Sequence, residues 1–519
     1  MKSGTRLNIL HILVDQMRFD CIASLGNPYL RTPNLDRLVE RGTSFSSAYS
    51  PCPVCIPARC SMIYGQYPHS TGCYENGSMP VDGRQSLMDV LSEAGYRTHG
   101  IGKCHFSPDP AALRGFQTRE TQEEIPVDHG SDDYLQFLEN GGYSHVVDPH
   151  GVRGAMYYIP QVSPVSQQFH PTQWVGDRAV EFVSSPERAD QPWYLYTGFI
   201  HPHPPFSPPS PWHKLYGVDE VPLPHFPCQY EHLLTYVNRA QNRYKYRDQG
   251  FDLNLVRLLR AYYYACISFV DYQVGRLLDA LEQTGTLDTT LVVFTSDHGE
   301  YLGDYACFGK RGMHDASARI PLIASLPGLF PRNTRCQQPV SLVDLAPTVL
   351  AAAGRDSAST VSHRLDGLPL QEIVRGVAER GAVFAQLAYT RQFDGTNGDG
   401  FAPDEPVSDD DRAAGSLYMA VNREFKYVYS ASDRMEYLFD RRLDPLETRN
   451  RAHAPNFRRH SAVMRDLLME HLRAGGETSG LNGSGWKLFP QRHLPRDPDF
   501  GLLIQEQPWA ETAIPGYSR

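Results

Sequence analysis

The chain contains no apolar run approaching the ~18 residues needed to span a bilayer, so a membrane-embedded protein is not expected. Cysteine is sparse, ten in 519 residues, too thinly spread for a disulfide scaffold. There is no basic excess: 49 Lys and Arg stand against 59 Asp and Glu, for a formal net charge of -10. Nucleic-acid binders carry a basic patch or stripe, so no nucleic-acid partner is expected. An anionic substrate would have to be drawn in by a local cluster, because the overall field repels it. No internal repeat is present, and the 42 Gly and 40 Pro are scattered without a period, which means many loops rather than a low-complexity chain. No leader is expected at the start either. The opening Met1–Arg6 is basic, but the apolar stretch after it is short, is interrupted by Asn8 and His11, and lacks a small-residue cleavage site. It reads as a buried first strand. Cytoplasmic residence is the expectation, although a periplasmic or secreted chain with its leader already removed would start the same way.

What is present is an alternation. Apolar, β-branched runs at 7–14, 96–101, 193–199, 289–295 and 320–325 are interleaved with helical spacing at 34–42, 86–94, 177–183, 255–281 and 342–353. That pattern predicts βαβ units, and so an α/β fold with a large, mostly parallel sheet between helices. After about residue 370 come short strand-like pieces at 383–389, 417–421, 426–429 and 437–440, with a helix near 461–473. The division expected is a catalytic domain over 1–375, a smaller C-terminal α+β domain on an antiparallel sheet over 376–474, and an extended tail over 475–519.

The residues that follow the strands carry the chemistry. The first strand leads into Asp15-Gln16, the second into Lys103 and His105, the third into His201 and His203, and the fourth into Asp297-His298. In open parallel sheets, ligands bind beyond the carboxyl ends of the strands. Asp15, Gln16, Asp297 and His298 offer oxygen donors and one imidazole, a set for calcium, magnesium or manganese. The plain alternative is that the two aspartates cap helices. In Cys52-Pro53-Val54-Cys55-Ile56-Pro57-Ala58-Arg59, Pro57 suits the first turn of a helix, which puts Cys55 at a helix N-terminus, where an anion is favoured. Arg59 follows one turn later. A nucleophile and a guanidinium at a helix start suit attack on a tetrahedral oxyanion ester. Cys52-x-x-Cys55 on its own would also fit a zinc or redox site, but no second pair lies at a suitable spacing.

Cys55-x-Pro57-x-Arg59 with Ser61 and Gly65 resembles the signature of type I sulfatases, in the alkaline phosphatase superfamily. Thr32-Pro33-Asn34-Leu35-Asp36, Gly102-Lys103-Cys104-His105, His201-Pro202-His203, Ser296-Asp297-His298-Gly299, Lys310, Arg319-Ile320-Pro321-Leu322, Leu438-Phe439-Asp440 and Asp444-Pro445 look like family landmarks in family order. The resemblance covers about residues 7–450. It implies an alkaline phosphatase-like fold and hydrolysis of a sulfate monoester, with a carbohydrate as the expected alcohol. It also implies that a maturation enzyme converts Cys55 to formylglycine, whose hydrated aldehyde is the nucleophile. Asp15-Gln16 and Asp297-His298 replace the Asp-Asp and Asp-Asn of many sulfatases. That variant is similar to choline sulfatases and phosphonate monoester hydrolases, so a choline sulfatase or a phosphonate or phosphate ester hydrolase is the alternative.

The resemblance implies a site in which Asp15, Gln16, Cys55, Asp297 and His298 hold one divalent metal, calcium first and manganese or magnesium next. Arg59, Lys103 and Lys310 would hold the sulfate charge, His203 or Lys310 would protonate the leaving alcohol, and His105 would take the proton from the second hydroxyl. Asn76, 21 residues after Cys55, falls where relatives place a substrate contact, and is otherwise an Asn-Gly turn residue. His201 and His314 are left outside the catalytic set. Tyr157, Tyr158 and Trp174 either line the pocket or belong to the core. A homo-oligomer is left open.

Overall fold

In the strand Asn8–Val14, Leu10, Ile12 and Val14 enter one hydrophobic layer, and Ile9 and Leu13 enter another. This is the period of two expected of a strand covered on both faces. Thr290–Ser296 repeats it, with Val292 and Phe294 on the first side and Leu291 and Val293 on the second. The computed structural model describes residues 7–494 apart from 78, 127–128, 154–155, 189, 246–251, 356–360 and 391–406.

These two strands pair in parallel at the centre of an eight-stranded sheet. Its spatial order is Thr334–Cys336, Thr43–Phe45, Leu322–Ser325, Thr290–Ser296, Asn8–Val14, Trp193–Phe199, Arg97–Gly102 and Thr118–Thr121. Leu322–Ser325 runs against both of its neighbours, and the other pairings are parallel. Helices Pro33–Arg41, Pro171–Ser184 and Leu253–Gln283 supply the first layer. Helices Cys55–Tyr64, Leu87–Glu93 and Leu345–Ala352 supply the second. The long helix Leu253–Gln283 starts at an Asp252 side chain that accepts from the Asn254 and Leu255 N–H groups, as an N-cap should.

The large, mostly parallel sheet sandwiched by helices is the architecture the alternation implies. Two segments differ from the sequence reading. The run 320–325 is broken at Pro321, which has no N–H for a ladder. Arg319–Ile320 joins a separate three-stranded sheet, and only Leu322–Ser325 stays in the large one. The helix expected over 342–353 opens as a 3-10 turn, Leu342–Asp344, closed by a reciprocal Ser341–Asp344 cap, before Leu345–Ala352. Thr118–Thr121, an edge strand, is absent from the sequence reading altogether.

The C-terminal strands Val383–Ala388, Ser416–Val421, Phe425–Ser430 and Met435–Asp440 form an antiparallel sheet. Helix Arg458–Ala474 covers one face through Met464, Leu468 and Leu472. The other face, with Leu417, Met419 and Val428, packs against Tyr49, Cys52 and Val54, which lead into helix Cys55–Tyr64. Of the expected tail, 475–494 is described and includes the short hairpin Leu481–Asn482 and Gly485–Trp486, while 495–519 lies outside the described residues. No helix among the described residues is long and apolar enough to cross a membrane.

Candidate active site

The five adjoining parallel strands end on one edge, and each delivers polar groups there. Asp15-Gln16 follows Asn8–Val14, Lys103 follows Arg97–Gly102, His201 and His203 follow Trp193–Phe199, Asp297-His298 follows Thr290–Ser296, and Glu123-Glu124 follows Thr118–Thr121. The approach is close at Gly198, where a Cβ would lie 2.2 Å from the Lys103 carbonyl oxygen. Gln16, His105 and Arg311 take left-handed backbone with φ of 67°, 55° and 67°. Such conformations cost energy in non-glycine residues and cluster where side chains must be aimed.

Cys55 is the first residue of helix Cys55–Tyr64, every residue of which is buried. Its sulfur lies 2.7 Å from Lys310 Nζ, 3.3 Å from His298 Nε2 and 3.8 Å from Asp15 Oδ1. Burial pushes the thiol up. The charges of Lys310, Lys103 and His298, with a hydrogen bond from His105, outweigh that and hold Cys55 well below its ordinary range. The place occupied by Sγ is therefore one where the protein stabilises negative charge. The Ile56 N–H, which has no partner within its helix, donates to Asn76 Oδ1 at 3.2 Å, so Asn76 caps the helix that Cys55 opens.

Asp15, Cys55, Asp297 and His298 offer ligand atoms that all lie within 4.8 Å of one another, the only such group found among the described residues. The second oxygens of both carboxylates are spoken for. Asp15 Oδ2 takes Arg59 Nη2 at 3.0 Å and Lys103 Nζ at 2.6 Å, and Asp297 Oδ2 takes Arg59 Nε at 3.0 Å. Asp15 Oδ1, Asp297 Oδ1, which also accepts the Gln16 and His298 N–H groups at 3.0 Å, and His298 Nε2 group at the centre, and the donor set fits a divalent cation. Despite burial and the charge of Cys55, the neighbouring cations Lys103, His203 and Arg59 hold Asp15 down to about 2. Burial would lower His298, but Asp297 reverses this and raises it. Gln16 stands at the edge of the group, where its amide oxygen accepts from Lys310 Nζ at 3.0 Å and its amide N–H donates to Glu300.

Arg59 directs its guanidinium at protein groups: the two aspartates, the Lys103 carbonyl at 2.7 Å and Tyr196 OH at 2.9 Å. It fixes the carboxylates and the Lys103 backbone. Lys103, wholly buried, bridges Asp15 and Glu124. His203 Nε2 is 3.2 Å from Lys310 Nζ, 3.4 Å from Tyr157 OH and 3.5 Å from Glu124 Oε2. Burial and Lys310 lower His203, against the pull of Glu124.

Asp15, Gln16, Arg59, Asn76, Lys103, His105, His203, Asp297, His298 and Lys310 are thus brought together around Cys55. His201 and His314 are not: His201 packs against His170 and bonds Thr172, and His314 bonds Tyr301. Trp174 is core, while Tyr157 faces the site. Cys52 is buried against the Tyr74 carbonyl and belongs to no metal-ligand group among the described residues, so the pair Cys52 and Cys55 forms no metal site there. Glu124, Tyr196, Glu300 and Arg153 escape the sequence reading. Glu124 obeys the same strand-end rule as the others, but its strand was not seen.

A buried cysteine at a helix start, a donor set that fits a cation and three cationic side chains on the carboxyl edge of an α/β sheet are the arrangement of a hydrolase of the alkaline phosphatase superfamily. The Sulfatase family model matches residues 7–355, and the chain belongs to the sulfatase family. It is 27% identical over 503 residues to an arylsulfatase of Clostridium perfringens, covering 91% of this chain and 96% of the relative. It is 30% identical over 465 residues to a choline-sulfatase of Rhizobium meliloti, covering 86% and 83%. The phosphonate monoester hydrolase of Silicibacter pomeroyi has the same fold, with a TM-score of 0.75 at 24% identity over 94% of this chain and 100% of that one. The protein is a sulfatase-type hydrolase.

Proposed function

We propose that this enzyme hydrolyses the sulfate monoester of an alcohol, a carbohydrate being the class favoured, through a formylglycine made from Cys55 by a maturation enzyme. The observation that carries the reading is the convergence of Lys310, Lys103, His298 and His105 on Cys55 Sγ, which together reverse the effect of burial on its ionisation. A site built to hold a negative charge at that atom suits an oxyanion nucleophile facing an anionic ester. As a hydrated aldehyde, residue 55 would supply a nucleophile that releases sulfate by C–O cleavage, without water attacking sulfur. A divalent cation held by Asp15, Asp297 and His298, beside Cys55 and Gln16, would supply Lewis-acid charge; calcium is proposed, with manganese or magnesium as alternatives.

The remaining steps belong to the protein's own side chains. Lys103 and Lys310 stand on two sides of the nucleophile and hold the sulfate oxygens. Arg59 keeps both aspartates in place. His203 and Lys310, in contact at 3.2 Å, form the proton-donating pair for the leaving alcohol. The negative charge of a bound sulfate raises the proton affinity of His203, opposing the effect of burial. His105, hydrogen-bonded to residue 55, accepts the proton that lets the aldehyde reform. Asn76 caps the helix and contributes to the substrate face.

The test is the mass of the tryptic peptide Gly42–Arg59 from a host that matures sulfatases. It should show Cys55 with its sulfur replaced by an aldehyde oxygen, and the same preparation should cleave sulfate monoesters faster than phosphonate monoesters. An unmodified thiol in active protein would exclude the formylglycine route, and faster phosphonate cleavage would exchange the substrate class.

A further inference from the structure

The wall beside His203 shows what kind of alcohol can leave past it. Tyr157 OH lies 3.4 Å from His203 Nε2, and the Arg153 guanidinium carbon sits over the Tyr157 ring, 4.8 Å from its centroid. Arg153 Nη2 is anchored 2.7 Å from Glu124 Oε1, and the other Glu124 oxygen meets Lys103 and His203. Both oxygens of the carboxylate nearest the leaving group are thus committed to protein cations. Arg153 itself keeps a quarter of its side chain exposed. The other acid close by, Glu300, is fully buried and accepts from Gln16, Tyr158 and two backbone N–H groups.

Exposed apolar side chains adjoin these residues in sequence. Ile125 follows Glu124, Val152 precedes Arg153, and Met156 precedes Tyr157; all three are exposed. The Gln161 amide holds Val152 and Met156 together, donating to both carbonyls at 2.8 Å.

On the reading of this site as a sulfate-ester hydrolase, we infer that Arg153 selects the leaving alcohol by charge, so that the enzyme takes an uncharged or anionic alcohol with an apolar or sugar-like face and rejects a quaternary ammonium. A quaternary ammonium is bound by aromatic faces and carboxylates. Here the aromatic face beside His203 is already covered by a guanidinium, and the neighbouring carboxylate is neutralised. A trimethylammonium group entering along this wall meets a like charge instead of a cage.

Choline sulfate and 3,3-dimethylbutyl sulfate, its uncharged isostere, differ in the charge alone. Their kcat/KM ratio therefore reads the response to that charge, and its change on substituting Arg153 isolates the effect of Arg153. The wild-type enzyme should favour the uncharged ester by about tenfold or more, a factor in line with cation–π and like-charge effects. Arg153→Ala, at a partly exposed position, should reduce that preference about tenfold, whereas Arg153→Lys should keep it. A wild-type preference for choline sulfate, or a ratio that Arg153→Ala leaves unchanged, would overturn the inference. The same pair of alcohols on methylphosphonate separates the two readings. If only the phosphonates turn over, the sulfate assignment fails while the ratio still decides the role of Arg153.

Discussion

Lys426→Met removes one charge and keeps the length of the side chain. Lys426 is wholly buried, pairs with Asp315 and Glu447, and donates to the Met313 carbonyl at 3.0 Å. Through these contacts the strand Phe425–Ser430 grips the segment that follows Lys310. Breaking a buried pair by removing one partner costs about 3–5 kcal/mol. The pH dependence is more diagnostic than the total. Burial, with help from Asp315, raises Glu447 from 4.5 to about 7 even though Lys426 pulls it down. A carboxyl that titrates higher folded than unfolded loses stability as pH rises between those two values, by about 1.36 kcal/mol per pH step. In the wild type that loss ends near pH 7, after about 3.4 kcal/mol. In the variant Asp315 stays ionised, because Arg319 and Arg441 remain beside it. Without the pull of Lys426, Glu447 titrates higher than in the wild type, so the loss continues past pH 7. The variant's destabilisation should therefore be larger at pH 8 than at pH 5.5. Urea unfolding at the two pH values measures this, and kcat/KM should fall as Lys310 loses its backing. A destabilisation below about 1 kcal/mol, or one equal at both pH values, would refute the reasoning.

Three further outcomes follow from the site. Cys55→Ser should complete at most one turnover, seen as a burst equal to the enzyme concentration; steady turnover would rule out the formylglycine route. Lys103→Met should lower kcat by about 10²–10³, the scale of losing one charge-stabilising donor, because it also leaves Asp15 and Glu124 without their shared cation. Near-normal kcat in folded protein would remove Lys103 from the machinery. Stripping divalent metal with a chelator should abolish activity, and adding back calcium or manganese at about 100 times Kd should restore it and stabilise the fold by about 2.7 kcal/mol. Full activity in protein shown to be metal-free would contradict the donor set.

Legibility in the sequence depended on how many residues each signal spanned. Trp193–Phe199 and the helix Leu253–Gln283 are long and periodic, and both were visible. Thr118–Thr121 is four residues, Thr-Arg-Glu-Thr, at the sheet edge. It has no apolar run, because as an edge strand it pairs with Arg97–Gly102 on one side only and is largely left unburied. Missing it hid Glu124, although the strand-end rule that found Asp15, Lys103, His203 and Asp297 applies to it without change. Lys310 was legible from the family pattern alone. No strand precedes it, and its position is set by contacts distant in sequence, such as Gln16, Cys55 and His203. Arg153 and Lys426 had no local signal, since their meaning lies entirely in partners far along the chain.

Those distant partners show that the catalytic centre is built by both sheets. The large sheet delivers Asp15, Lys103, His203 and Asp297 from strand ends, where backbone pairing fixes each position. Residues 309–315 have no ladder of their own. From the large-sheet side, Gly309 donates to Glu300, and Arg311 donates to the Pro53 carbonyl at 3.1 Å. From the C-terminal side, the Asp315 N–H donates to Glu447 at 2.6 Å, and Lys426 takes the Met313 carbonyl. The loop before Cys55 is held the same way, with the Gln386 N–H on the Pro51 carbonyl at 2.9 Å. The two elements that bring Lys310 to 2.7 Å from Cys55 are therefore each clamped by the antiparallel sheet. Three buried charges at that junction are costly unless paired, and their pairing fixes the register of the C-terminal sheet against the nucleophile.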